Sequence, residues 1–312
     1  MGVLNVCCYP TSIALKAADH AYVSCGDGAY AWGCWGGNSG GTVVRSGAGS
    51  TTRAEAIAGD KGRAGITHYL INGVCHQSAN RILLPARITA NNARGHLLSV
   101  SIFGLFGRPS AGLGLFLAPL YLHGSTSGDL DACIYQGTAA SSNAPPEQAF
   151  IEASIALYGK TYPELLVKSS NGTGGSQQAP DQQVGENQVQ RAAEFNIENF
   201  KLFVKYRAVA RGQMFSTIQF HKMMVAREEF ERSREVIEIE FGEIGSGGWQ
   251  DFVRKFDDLT LHFQDRLAQI LPPQDYEALL DISQERRMVL SDPEIVESVY
   301  APGSKPRGPG RR

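Results

Sequence analysis

A polar, glycine-rich stretch divides this 312-residue chain into two parts of unlike composition. Residues 169–183 contain no large apolar side chain, so burial cannot offset the entropy that would be lost on ordering them. All six cysteines and most of the 35 glycines precede this stretch, whereas 38 of the 60 charged residues lie from Gln188 onward. The sequence therefore predicts an α/β domain at 1–168, a flexible linker at 169–187, an α-helical domain at 188–300 and a disordered basic tail at 301–312.

The charge balance and the apolar content exclude several classes of protein. With 43% hydrophobic residues the chain can form a core, and a formal net charge of -2 creates no field that would attract nucleic acid or an anionic membrane. The longest apolar run, residues 113–122, is shorter than the ~18 residues of a membrane-spanning helix. The first fifteen residues lack the basic start of a secretion signal. We therefore expect a cytoplasmic protein with no nucleic-acid partner and no membrane span, although export by a specialised system stays open.

The first part has the pattern of a small sheet with helices. Two aromatic, β-prone runs at residues 21–25 and 30–35 flank Gly26-Asp27-Gly28, which predicts a β-hairpin. A glycine-rich loop follows at residues 36–41. The other predicted elements are helices at 51–58, 74–84 and 146–158 and strands at 66–71, 87–90 and 96–103.

In the second part, apolar residues recur at helical spacing with charged residues between them. Phe252, Phe256, Phe263 and Leu267 illustrate this spacing, which is typical of an amphipathic helix. The predicted helices lie at 187–211, 214–241, 248–271 and, after a Pro-Pro pair, near 276–280. The predicted fold class is therefore α+β, with a small mixed or antiparallel sheet followed by an α-helical C-terminal region.

Cys75 is the strongest candidate for a catalytic residue. A thiol attacks as the thiolate, and the unpaired amides at a helix N-terminus favour that anion. Gly73 lets the chain turn sharply into the helix predicted at 74–84, so Cys75 lies in its first turn. The same amides can bind the oxyanion that forms when a carbonyl group is attacked.

A cysteine nucleophile also needs a general base, most often a histidine held by a third polar group. His20 is the first choice because it directly precedes the aromatic run of the first hairpin strand, which can present it at a sheet edge. His68 is the second choice. His76 is a poorer base because sequence neighbours on a helix diverge by about 100°, so we expect it to pack or to form hydrogen bonds. Asn38 and Asp27 are candidates for the third group by residue type alone, and we place Asn38 in the site.

The order of these residues resembles that of the permuted papain-like cysteine enzymes related to the NlpC/P60 superfamily. The likeness rests on His20 in Asp19-His-Ala-Tyr-Val23 and on Cys75 in the run 72–79, and it covers about residues 15–105. In that family a strand histidine comes first, and the cysteine follows on a helix packed against the sheet. The resemblance implies a papain-like domain that acts as a peptidase, amidase, thioesterase or acyltransferase on a peptide, amide or acyl substrate, without a cofactor.

Other interpretations of these residues are weaker. The loop 37–41 looks like the serine loop of trypsin-like proteases, but only 38 residues precede Ser39, too few for the barrel that supplies the other catalytic groups. The loop also lacks the Gly-Lys-Ser/Thr ending of a phosphate-binding loop. A zinc site made of Cys25, Cys34 and His20 lacks a close Cys-x-x-Cys pair. Cys7 and Cys8 lie in an apolar, strand-like run, which favours core packing.

A second hypothesis makes the chain an interaction protein. The charged helices predicted at 188–300 could bind a protein partner or self-associate, with the α/β part serving as a non-catalytic binding module. The enzymatic and the interaction hypotheses do not exclude each other.

Overall fold

The structure, a computed structural model, has a mixed α+β fold, which confirms the predicted class. It describes residues 2–11, 18–33, 35–59, 64–66, 68–110, 113, 120–122, 145–162, 166–168, 186–244 and 248–301. Within these ranges, no helix combines the length and the apolar character needed to cross a bilayer.

Four antiparallel strands form the sheet of the first part. In spatial order they are β3 (Ala31–Trp32), β2 (His20–Cys25), β1 (Gly2–Tyr9) and β4 (Thr42–Gly49). The predicted hairpin is confirmed, since β2 and β3 pair antiparallel across a turn in which Gly28 has a φ of 70°. Glycine adopts this left-handed conformation without strain. β1 contains Cys7 and Cys8, and both are buried as expected.

One face of the sheet packs against two helices, α1 (Thr51–Gly59) and α2 (Cys75–Ile82). Side chains alternate between the faces of a strand, so Leu4 and Val6 of β1 point toward the helices together with Val23 of β2. These side chains are fully buried, as are the residues of α2 that meet them. Both helices were predicted, and α2 begins at the residue that the sequence analysis singled out.

The strand predicted at 96–103 is wrong, because these residues form the helix α3 (His96–Phe103). Every residue of α3 is buried, including the polar His96, Ser99 and Ser101, so the run has no solvent-exposed face whose spacing would distinguish a helix from a strand. The strands predicted at 66–71 and 87–90 are also wrong within the described residues. Leu70 and Arg87 have φ values of 61° and 52°, a left-handed conformation that a strand does not contain.

Helix α2 is wholly buried although five of its eight residues are polar. Buried polar groups need hydrogen-bond partners, and three of these side chains donate to consecutive backbone carbonyls of the segment that follows α3. The pairs are Gln77 Nε2 to Gly104 (3.1 Å), Asn80 Nδ2 to Leu105 (2.9 Å) and Arg81 Nε to Phe106 (2.7 Å). These bonds fix the position of α2, and with it that of Cys75.

The remaining helices confirm most of the predicted ones. They are α4 (Pro146–Thr161), α5 (Glu186–Arg211), α6 (Thr217–Ile244), α7 (Trp249–Ile270), α8 (Pro273–Leu280) and α9 (Pro293–Tyr300), and a short parallel pair joins β5 (Leu120–Leu122) to β6 (Leu166–Lys168). The sequence analysis missed α9. Asp292 caps it by accepting hydrogen bonds from the amides of Glu294 and Ile295, with Pro293 in the first turn. This Asp-Pro pair is a known signal for a helix start.

One buried apolar cluster includes residues from both predicted domains. Trp35, Tyr69 and Phe103 from the first part belong to the same cluster as Phe200 and Phe256 from the second. Most of the predicted linker and nearly all of the predicted tail lie outside the described residues. The division into domains stays a prediction, and the shared cluster means that the helices help to bury the first part.

Candidate active site

Cys75 is the first residue of α2 and lies beside the edge of β2. The strand β3 pairs with β2 at Val23 and Ser24, and beyond this pairing the amide of Ala21 donates to the Cys75 sulfur at 3.5 Å. The amides of Cys75 and His76, at the start of α2, also favour the thiolate. Three backbone amides therefore converge on one sulfur atom.

A small cavity beside this sulfur is lined by several polar side chains. Its volume is about 10 Å³, which is about the space that one water molecule needs. The lining includes Asp19, His20, Tyr69, Cys75, His76 and Asp292. The structure thus places the predicted nucleophile and the first-choice base on one cavity.

His20 is fully buried at the start of β2. Its ring packs on the ring of Tyr9, with 4.9 Å between the centroids, and lies against Gly36. Neither ring nitrogen has a hydrogen-bond partner among the described residues. Burial lowers the pKa of His20 to about 4, and the backbone of Gly37 opposes this shift only in part. The imidazole is therefore neutral near pH 7, and it is a weak base while it is buried.

His76 lines the same cavity, and its Nδ1 lies 3.0 Å from the hydroxyl of Ser99. That hydroxyl donates to the carbonyl of His96 at 2.7 Å, so we assign the proton between His76 and Ser99 to Nδ1. This tautomer leaves a lone pair on Nε2, which has no hydrogen-bond partner in the described part of the chain. Burial, together with nearby His20, lowers the pKa of His76 to about 3. The expected hydrogen bond is confirmed, and the site contains a second neutral imidazole.

The expectation that the helix start lowers the pKa of Cys75 was wrong. Burial raises the pKa of this thiol to about 12, although the Ala21 amide opposes the shift, and the charge of Asp292 raises it further. Only 5% of the residue is exposed. The loss of hydration outweighs the attraction of the amides, so the resting form is the neutral thiol.

The structure does not bring the other candidates to the cavity. Asn38 follows β3 in the loop, where its Oδ1 lies close to Gly33, and it is not a lining residue. Asp27 lies in the hairpin turn and accepts hydrogen bonds from the Cys25 thiol at 2.7 Å and the Ala29 amide at 3.0 Å. His68 Nδ1 lies 3.3 Å from Asn72 Oδ1. The role of Asn38 stays a prediction.

The zinc alternative gains no support from the described residues. Cys34 lies outside them, and the Cys25 thiol donates to a carboxylate of the hairpin turn. Across the described ranges, no three histidine, cysteine or acidic side chains come together as ligands.

The sequence analysis missed two polar residues of the cavity, Tyr69 and Asp292. The hydroxyl of Tyr69 donates to the carbonyl of Leu290 and accepts from the amide of Asp292, both at 3.1 Å. More than two hundred residues separate the partners in sequence, so no local pattern could indicate the contact. The Asp-Pro pair at 292–293 indicates a helix start, but it does not say where that helix packs.

Comparisons with known proteins leave the resemblance untested. No family model matches this chain, and neither a curated protein nor a solved structure matches it significantly. A papain-like relationship therefore rests on the residues of the chain itself.

Proposed function

We propose that this chain is a cysteine-dependent hydrolase or acyltransferase with a permuted papain-like arrangement, acting at an amide or thioester bond. Cys75 is the nucleophile and His20 is the general base. The observation that carries the proposal is the shared cavity, which is lined both by a sulfur atom that backbone amides contact and by a neutral imidazole.

The raised pKa of Cys75 argues against a preformed thiolate, so the proposed reaction needs a general base. Cys75 is a thiol at rest, so its proton must pass to the imidazole of His20 as the sulfur attacks the carbonyl carbon. The amides around the sulfur are placed to stabilise the oxyanion that forms. The imidazolium then returns its proton to the leaving amine or thiol, which yields a thioester on Cys75. Water or a second acceptor releases the acyl group, and the free thiol is restored.

The test is acetylation of the full-length protein by p-nitrophenyl acetate, with the acetyl adduct located by peptide mass spectrometry. We expect Cys75 to be acetylated faster than the buried Cys8, and His20→Ala to slow acetylation of Cys75 by about 10²-fold or more, the usual contribution of a general base. Equal rates in the wild type and His20→Ala would overturn the proposal. Loss of the reaction in His76→Ala alone would assign the base to His76 instead.

Two glycine variants test the position of His20 without removing it. A Cβ at Gly36 would lie 2.5 Å from His20 Cε1, so Gly36→Ala must displace the ring. A Cβ at Gly37 meets Tyr9 Oη at an ordinary 3.5 Å, which makes Gly37→Ala the matched control. We expect Gly36→Ala to slow acetylation of Cys75 and Gly37→Ala to leave it near the wild-type rate.

The interaction hypothesis has one supporting observation, an apolar surface at the turn between α5 and α6. Val209, Met214 and Ile218 are 67%, 87% and 68% exposed. We infer that this turn contributes to self-association of the chain. Because the helices share a buried cluster with the first part, the test uses the full chain. We expect light scattering to give a mass above 33.7 kDa that falls to the monomer mass in Ile218→Asp. A monomeric wild type would contradict this inference.

A further inference from the structure

The C-terminal strap, which we define as residues 288–300, covers the candidate active site. Leu290, Asp292 and Ile295 of the strap line the same cavity as Cys75. The cavity has room for about one water molecule, which is too little for a carbonyl group with a chain on each side. An acyl substrate cannot reach the sulfur while the strap is in this position.

Hydrogen bonds hold the strap at its two sides. On the cavity side, the Tyr69 hydroxyl bonds to the backbone of both Leu290 and Asp292, and the hydroxyl of Tyr300 donates to the Tyr69 carbonyl. On the opposite side, the side chain of Gln264 in α7 bonds to the amide of Met288 at 3.0 Å and to its carbonyl at 2.6 Å. The strap also buries the side chains of Met288, Leu290, Ile295 and Val296 in the shared apolar cluster, so polar and apolar contacts together hold it in place.

A further contact joins the strap to Asp257 of α7, and it costs free energy because it keeps part of a carboxylate away from water. The hydroxyl of Ser291 donates to Oδ2 of Asp257, while the buried Oδ1 of Asp257 has no hydrogen-bond partner within the described ranges. Burial raises the pKa of Asp257 to about 6, which reflects the same loss of hydration. Release of the strap would let this carboxylate regain water. The hydrogen bond from Ser291 thus favours the closed arrangement, whereas the buried Oδ1 of Asp257 favours opening.

We propose that the strap is an autoinhibitory cover, which must leave its position between Tyr69 and α7 before Cys75 can react with a substrate. The consequence for catalysis rests on the function proposed above. The accessibility of the Cys75 sulfur does not rest on that function, and it can be measured separately.

The experiment measures alkylation of the native full-length protein by iodoacetamide, with each cysteine followed by peptide mass spectrometry. Ser291→Ala removes a hydrogen bond to a carboxylate, so we expect Cys75 to react about tenfold faster or more. Ser298→Ala is the matched control, because the one hydrogen bond of that hydroxyl among the described residues goes to the carbonyl of Ile295 within α9. Cys8, buried in the sheet, reports any global unfolding.

Tyr300→Phe is a second, conservative variant. It removes the hydrogen bond to the Tyr69 carbonyl on the cavity side of the strap and should also accelerate alkylation of Cys75.

An unchanged alkylation rate of Cys75 in both variants, or an equal rise in the alkylation rate of Cys8, would overturn the proposal that the strap covers Cys75. The outcomes separate the two proposals. Faster alkylation of Cys75 in Ser291→Ala, with acetylation that does not depend on His20, would keep the cover and reject the enzyme. Alkylation that does not change, with acetylation that does depend on His20, would keep the enzyme and reject the cover.

Discussion

Glu231→Ala is expected to lower the free energy of unfolding by about 3 to 5 kcal/mol, the usual cost of leaving a buried charge without its partner. The Glu231 carboxylate forms ion pairs with Arg227 and Arg234, and it lies 3.6 Å from Arg108. All three guanidinium groups are buried. Burial lowers the pKa of Arg227 to about 10 and raises the pKa of Glu231, so the loss of hydration outweighs the mutual attraction. The carboxylate is therefore needed mainly because the arginines are buried around it.

Glu229→Ala is the matched control for this prediction. Glu229 lies on the same helix, two residues away, and pairs with Arg266 on the exposed surface at 3.4 Å. Exposed ion pairs contribute little, so we expect a change of less than about 1 kcal/mol. Urea unfolding of both variants gives the two free energies. Similar values for Glu231→Ala and Glu229→Ala would contradict the buried role of Glu231.

Acidification is expected to destabilise the protein through His20 and His76. Both pKa values are lowered in the folded state, to about 4 and about 3, because burial disfavours the charged imidazole. Above the unfolded pKa of about 6.5 the rings are neutral in both states, so they do not change the free energy of unfolding. As the pH falls from there toward the folded pKa values, only the unfolded state binds protons, and the free energy of unfolding falls. Each histidine contributes a slope of about 1.4 kcal/mol per pH unit within this window. The raised pKa of Asp257 acts in the opposite direction and subtracts from the total slope.

Urea unfolding at several pH values between about 6.5 and 5 measures this slope. We expect His20→Gln and His76→Gln each to reduce it, whatever their effect on stability at neutral pH. His262→Gln, at an exposed position of α7, is the control for the loss of a histidine. A slope that stays the same in all three variants would mean that neither buried imidazole resists protonation.

Part of the site could be predicted because its signals are local. The turn residues of the hairpin predict the strand that begins at His20, and the run between Gly73 and Pro85 predicts a helix with Cys75 in its first turn. Asn38 had no such signal, and it is not among the residues that line the cavity. The prediction for the Cys75 pKa failed because the dipole argument applies to an exposed helix start, whereas this one is buried.

The sequence by itself determined the α+β class, the hairpin, most of the helices and the identity of the candidate nucleophile and base. These features follow from turn chemistry and apolar spacing, which act between neighbours in the chain. Only the tertiary structure decided that 96–103 is a helix, that His76 joins the site and that residues 288–300 cover Cys75. Burial decided each of these outcomes, and burial depends on which distant segments pack together, which no local pattern of residues specifies.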